Sequence, residues 1–225
     1  TGYSDWMSWM WKRHAGFDCV CFKGDGVSGR QIPHSLSKTP EMMWVKNRET
    51  NGENWMVYHK DTAIATGGTD SETDYLVLNS DGGYGDHSGI WSDTAPTATH
   101  FTVGNHSTVN QDTKNIIAML FSSVSGISKL GSYSGQSSNL DLDLGFQPRF
   151  FLCKRTNTTG DWVMFDTLRG LGSGTDKRIK LNSTDQQDSY DQGSLSSNGI
   201  TLIAGAASYV LSTNSSDKYV YYAHA

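Results

Sequence analysis

The pair Asp141-Leu142-Asp143 sets two carboxylates on one face of a strand, because strand side chains alternate. The loop Asn79-Ser80-Asp81-Gly82-Gly83-Tyr84-Gly85-Asp86 also gathers side-chain oxygens around tight glycines. Either group can ligate calcium, which takes oxygen donors. An Asp-rich loop that simply turns the chain explains the same residues. A glycosidase needs two carboxylates about 5–9 Å apart in a groove. Asp141 with Asp143, or Asp161 with Asp166, are the nearest candidates. No other constellation stands out: there is no Gly-x-Ser-x-Gly elbow, no phosphate-binding Walker loop and no His-Glu-x-x-His. The seven histidines are scattered without metal spacing. Cys19 and Cys21 share a strand face but have no second Cys/His pair to complete a zinc site. The reading is therefore non-enzymatic, with no catalytic residue, no resident metal and no cofactor, and calcium as the one alternative. Three cysteines cannot all pair, which suits assembly in a reducing cytoplasm.

Aromatic residues beside carboxylates offer a different chemistry, that of stacking on a sugar ring and accepting hydrogen bonds from its hydroxyls. Trp91, Tyr84, Asp86, Tyr190 and Asp191 are the candidate ligand contacts. They sit in or next to the loops Thr66–Asp74, Asp81–Thr97, Gly172–Lys177 and Thr184–Ser197. Asn54-Trp55 and Asp161-Trp162 recur as well, and recurrence at one structural position favours two core tryptophans over two binding sites. Lys46-Asn47-Arg48 and Lys154-Arg155 follow strands and are expected to pair with carboxylates or to lie over the sheet edge.

The elements that must position these residues are short strands. The chain has 225 residues, 24 glycines and long Ser/Thr/Asn tracts between short apolar runs, the composition of an all-β protein rich in turns. Its net charge of −5 argues against nucleic acid as a partner. No run approaches the roughly 18 apolar residues of a membrane helix. Asn51-Gly52 and Thr159-Gly160 each separate two apolar runs, a hairpin signal. Strands at short spacing without helices predict a β-sandwich, of jelly-roll or lectin-like type.

The chain repeats itself. Thr39–Arg48 answers Gln147–Arg155, Asn51–His59 answers Thr159–Asp166, Leu76–Ser80 answers Ile179–Ser183, and Asn115–Phe121 answers Lys218–His224. Length changes fall between the apolar runs, where loops diverge. This divides the chain into 16–125 and 126–225, each large enough for its own core. A third copy of the last element, Asp5–Trp11, opens the chain, so residues 1–15 read as the closing strand of a preceding repeat or a strand exchanged between modules. Three Trp and two Met in that segment predict that Trp6–Trp11 is buried.

Gly145-Phe146-Gln147-Pro148, Lys154-Arg155, Gly160-Asp161-Trp162, Asp166-Thr167-Leu168-Arg169-Gly170 and Leu181-Asn182-Ser183-Thr184 together form a pattern. It resembles a repeat of large structural proteins of tailed phages, notably marine and cyanobacterial ones. The first repeat lacks the Arg-Gly element after Tyr58-His59. The resemblance implies a non-enzymatic virion component, a tandem β-sandwich of a tail fibre or appendage. Its expected partners are other virion proteins, further copies of itself and a host-surface glycan or protein, without nucleic acid or membrane insertion. Its expected location is the virion, assembled in the host cytoplasm and exposed outside the cell.

Overall fold

The structure, a computed structural model, describes residues 10–14, 16–172, 174–205 and 209–225. It is all-β, with 40% of residues in strands and 7% in helices. The first half contains β1 (Phe17–Lys23), β2 (Arg30–Pro33), β3 (Met42–Asn47), β4 (Met56–His59), β5 (Asp74–Val77), β6 (Gly85–Asp86), β7 (His100–Val103) and β8 (Asn115–Phe121). The second contains β9 (Ser128–Ser134), β10 (Leu140–Asp143), β11 (Phe150–Arg155), β12 (Trp162–Asp166), β13 (Asp176–Lys180), β14 (Asp188–Tyr190), β15 (Gly193–Ser196), β16 (Gly199–Leu202) and β17 (Lys218–His224).

The same topology occurs twice. One six-stranded antiparallel sheet runs β1-β8-β3-β4-β5-β6 and the other β9-β17-β11-β12-β13-β14. Each is faced by a small sheet, β2-β7 in the first half and β10-β16-β15 in the second. Within the first sandwich Met43, Val45, Met56, Tyr58 and Leu120 meet Ile32, Phe101 and Val103. Within the second, Phe151, Cys153, Val163 and Phe165 meet Ile200 and Leu202. A third core joins the halves: Met42, Trp44, Val57 and Phe121 pack against Leu152, Trp162, Met164 and Tyr222. The molecule is thus four layers deep, with its two large sheets back to back. The central strands β3, β4, β11 and β12 read as continuous apolar runs because both of their faces are covered.

Two expectations for the N-terminus change. Met10 is 90% exposed, so the predicted burial of Trp6–Trp11 does not extend to it. Residues 10–13 form no strand, and His14 makes only an isolated bridge to Phe17. The rest of the expected opening strand, Asp5–Trp9, lies outside the described residues. Trp11 packs into the central layer, stacked on Phe17 with ring centroids 5.9 Å apart.

Candidate functional site

The strongest recurrent signature is a structural clamp. The Asn182 side chain accepts from the Trp162 backbone N–H at 2.7 Å and donates to Asp161 at 2.8 Å. Asn79 does the same in the first half, accepting from Trp55 N–H at 2.9 Å and donating to Asn54 at 2.9 Å. The Asp/Asn-Trp and Leu-Asn-Ser motifs therefore exist for each other: they lock the start of one strand to the end of the next. Asp161 is further held by Lys180 at 3.2 Å. Asp166 caps the turn Thr167–Arg169 through Arg169 N–H and pairs with the Arg169 guanidinium at 2.7 Å. Gly170 follows with φ of 102°, a conformation that favours glycine and accounts for the Arg-Gly pair. Five residues of strand, about 16 Å, separate Asp161 from Asp166, so they cannot act as a catalytic pair.

The lysines depart from expectation. Lys154 is fully buried, with its ammonium on the carbonyls of Gly160 (2.5 Å) and Asp81 (3.0 Å) rather than on a carboxylate. Burial pulls it down to about 8. Lys46 likewise donates to the Glu53 carbonyl, so in both halves this lysine pins the hairpin that follows. Arg155 does pair with a carboxylate, Asp217 at 3.1 Å. Asp141 and Asp143 stand on the solvent side of β10 in an open depression with Ser196, Asn198 and Thr201. Thr201 donates to Asp141 at 2.5 Å and Asn198 to Asp143 at 2.6 Å. Among the described residues no three His, Cys, Asp or Glu groups are placed to hold a metal.

Of the five candidate ligand contacts, Trp91 is corrected. It is 1% exposed, packs edge-on against Tyr58 and donates its indole N–H to the Asp74 carbonyl at 3.0 Å. Its loop folds into a short helix, Ser88–Trp91, capped by His87, and buries Ile90 with it. Tyr84 and Asp86 are exposed on and beside the edge strand β6; Tyr84 is anchored by its N–H to the Thr156 carbonyl of the other half at 2.7 Å. They lie at β6, the edge of the first large sheet, whereas Tyr190 lies on β14, the edge of the second. Tyr190 and Asp191 are exposed on and beside the edge strand β14.

Tyr190 belongs to a built aromatic platform. The Arg178 guanidinium lies 4.4 Å from the Tyr190 ring and 3.8 Å from that of Tyr209. It also grips Asp188 through two parallel bonds of 2.5 and 2.6 Å. The guanidinium is buried, while Tyr190 and Tyr209 are 52% and 37% exposed. Asp176, buried beneath, accepts from the N–H groups of Gly172, Gln192 and Gly193 and so fixes the loops around the stack. The result is two partly exposed rings backed by a buried guanidinium, with Asp188 beside them and Asp191 next in the chain to Tyr190. Sequence reading missed Arg178 and Tyr209. A lone arginine in an alternating strand and a tyrosine in a Ser-rich segment carry no local signal.

A second feature lies between the halves. An apolar cavity of about 400 Å³ opens at one end of the central layer, lined by Trp11, Trp44, Trp55, Met119, Phe150 and Met164 among others. Trp11 meets Trp44, Phe121 and Phe150 edge-on at 5.8 to 6.3 Å. The two recurrent tryptophans part company here. Trp162 is buried and donates to the Val77 carbonyl of the first half at 2.9 Å, whereas Trp55 is only half-buried at the cavity wall. Three buried side-chain polar atoms among the described residues lack a hydrogen-bond partner. One, Trp44 Nε1, belongs to the cavity lining, and another, Arg178 Nη1, to the platform. Such atoms cost about 1–3 kcal/mol each.

No curated protein and no solved structure matches the chain. A family model does, over residues 8–225, which takes in both sandwiches and Trp11. The chain therefore belongs to the DUF7483 family, a domain of unknown function.

Proposed function

We propose that this protein is a non-enzymatic structural and adhesion module of a tailed-phage virion, displayed on a tail fibre or appendage and binding a host-surface glycan. The observation that carries the adhesive role is the Tyr190–Arg178–Tyr209 platform. Exposed aromatic faces stack on the apolar face of a sugar ring, and the carboxylates of Asp188 and the adjoining Asp191 accept hydrogen bonds from its hydroxyls. The platform is pre-organised, because its rings rest on a guanidinium already fixed by Asp188. Its acidic border suits neutral sugars. A weak site of this kind gains about 10²–10⁴ in avidity when copies are arrayed on a particle. Support for the non-enzymatic reading comes from Asp161, Asp166, Lys154 and the clamp asparagines, all engaged in holding strands and turns. The test is a glycan array probed with a multimerised chain. Tyr190→Ala and Tyr209→Ala each lower binding at least about tenfold, while Asp141→Asn on β10, the far edge of the facing small sheet, leaves it unchanged. Binding that survives both tyrosine substitutions removes the platform from the reading.

The apolar cavity favours a second reading, a purely architectural module whose contacts are with other virion proteins. Light scattering of the intact chain and of a variant lacking residues 1–15 separates the two. An oligomer that the deletion disperses assigns assembly to the Trp11 end.

A further inference from the structure

We propose that Cys19, Cys21 and Met119 form a binding site for a soft monovalent cation, copper(I) or its analogue silver(I). In the register of β1 and β8, Cys19 lies directly opposite Met119, and Met119 lies opposite Trp44 of β3. Cys19, Met119 and Trp44 thus form one row across three strands on a single sheet face. Cys21, two residues on, shares that face and closes a triangle of sulfur donors with the other two. Cys19 and Cys21 are two positions apart on β1, which sets their Cα atoms about 6.6 Å apart. Cys21 is exposed while Cys19 and Met119 are half-buried, so the triangle opens to solvent on one side and is backed by the aromatic layer on the other.

The donor set selects the ion. Two thiolates and a thioether suit copper(I), which is satisfied by two or three soft ligands. The neighbouring carboxylate, Asp18, is on the other face of β1 and is taken up by Arg13, Ser35 and the Cys19 N–H. Asp18 is therefore not offered to a hard cation, and three donors fall short of the four that zinc takes. Cys19 and Cys21 are both free thiols. Binding forms two metal–thiolate bonds and one metal–thioether bond, releases two protons to solvent and leaves a site of net charge −1. No oxidant or reductant takes part. The third cysteine is an internal control: Cys153 is buried in the second sandwich and pushed up to about 12.

The experiment is an anaerobic titration of the full reduced chain with copper(I) against a chromophoric chelator, repeated with silver(I) by calorimetry. The expected result is one equivalent bound per monomer. Cys21→Ser, a substitution at an exposed position, weakens binding at least about 100-fold. Met119→Leu weakens it about tenfold, within the range seen for supporting residues at metal sites, and Cys153→Ser leaves it unchanged. X-ray absorption of the copper complex shows three sulfur neighbours. The proposal is overturned if Cys21→Ser binds as the parent does. It is equally overturned if one metal is shared between two chains, or if Met119→Leu changes neither affinity nor sulfur count.

Discussion

The two sandwiches use their signature tryptophan differently. Trp162 is sealed in the central layer and hydrogen-bonded across it, while Trp55 stands half-buried at the wall of an open cavity. The neighbouring positions differ as well. The first half carries Trp44 where the second has Leu152, and both residues face the shared layer. At the end of the following strand, His59 reaches across, its Nε2 3.3 Å from the Tyr221 carbonyl, whereas Asp166 turns back to cap its own loop. A duplicated sheet meets its copy only once, so the two partners of that interface are free to specialise. One half seals the layer and the other keeps an aromatic opening.

The largest expected effect tests that inequality. Trp162→Ala costs about 3–5 kcal/mol, as for a fully buried aromatic, and Trp55→Ala less than about 2. Urea unfolding followed by fluorescence measures both, and equal losses would break the comparison. The next effect belongs to His59, which is fully buried and held down to about 4, chiefly by burial. Its Nδ1 accepts from the Asp61 N–H at 3.2 Å, which requires the neutral ring with its proton on Nε2. The folded state resists the proton that the unfolded chain takes up below about 6.5. The stability contributed by neutral His59 is therefore complete above pH about 6.5 and is lost as pH falls toward 4, a span of about 3 kcal/mol. Unfolding free energies at pH 7 and pH 4.5 for the parent and His59→Gln check it: the variant loses less over that interval. The smallest effect sharpens the clamp. Asn182→Ala leaves the Trp162 N–H and Asp161 without their partner and costs about 2 kcal/mol, while Asn79→Ala on the exposed side costs about 1 or less. Thermal melts of the two variants rank them.

The clamp was half legible in the sequence. Its two motifs recur with the same residues, but that they bind each other is a fact of strand pairing between β4 and β5 and between β12 and β13. Trp91 shows the opposite case: its loop position suggested exposure, and a four-residue helix carried it into the core. The platform was readable only at Tyr190 and Asp191. Arg178 meets Tyr209 across 31 positions of chain, and nothing local records such a meeting.

Alternation, turn residues and duplicated runs are properties of neighbouring positions, and they alone determined that this chain is a tandem of small β-sandwiches with short hairpins. Which large face meets which was decided by tertiary structure. A strand that is apolar on both sides, such as Met42-Met43-Trp44-Val45, states that each face is covered without naming what covers it. Back-to-back packing of the two large sheets supplied that partner, and with it the aromatic cavity, the buried His59 and the unequal tryptophans.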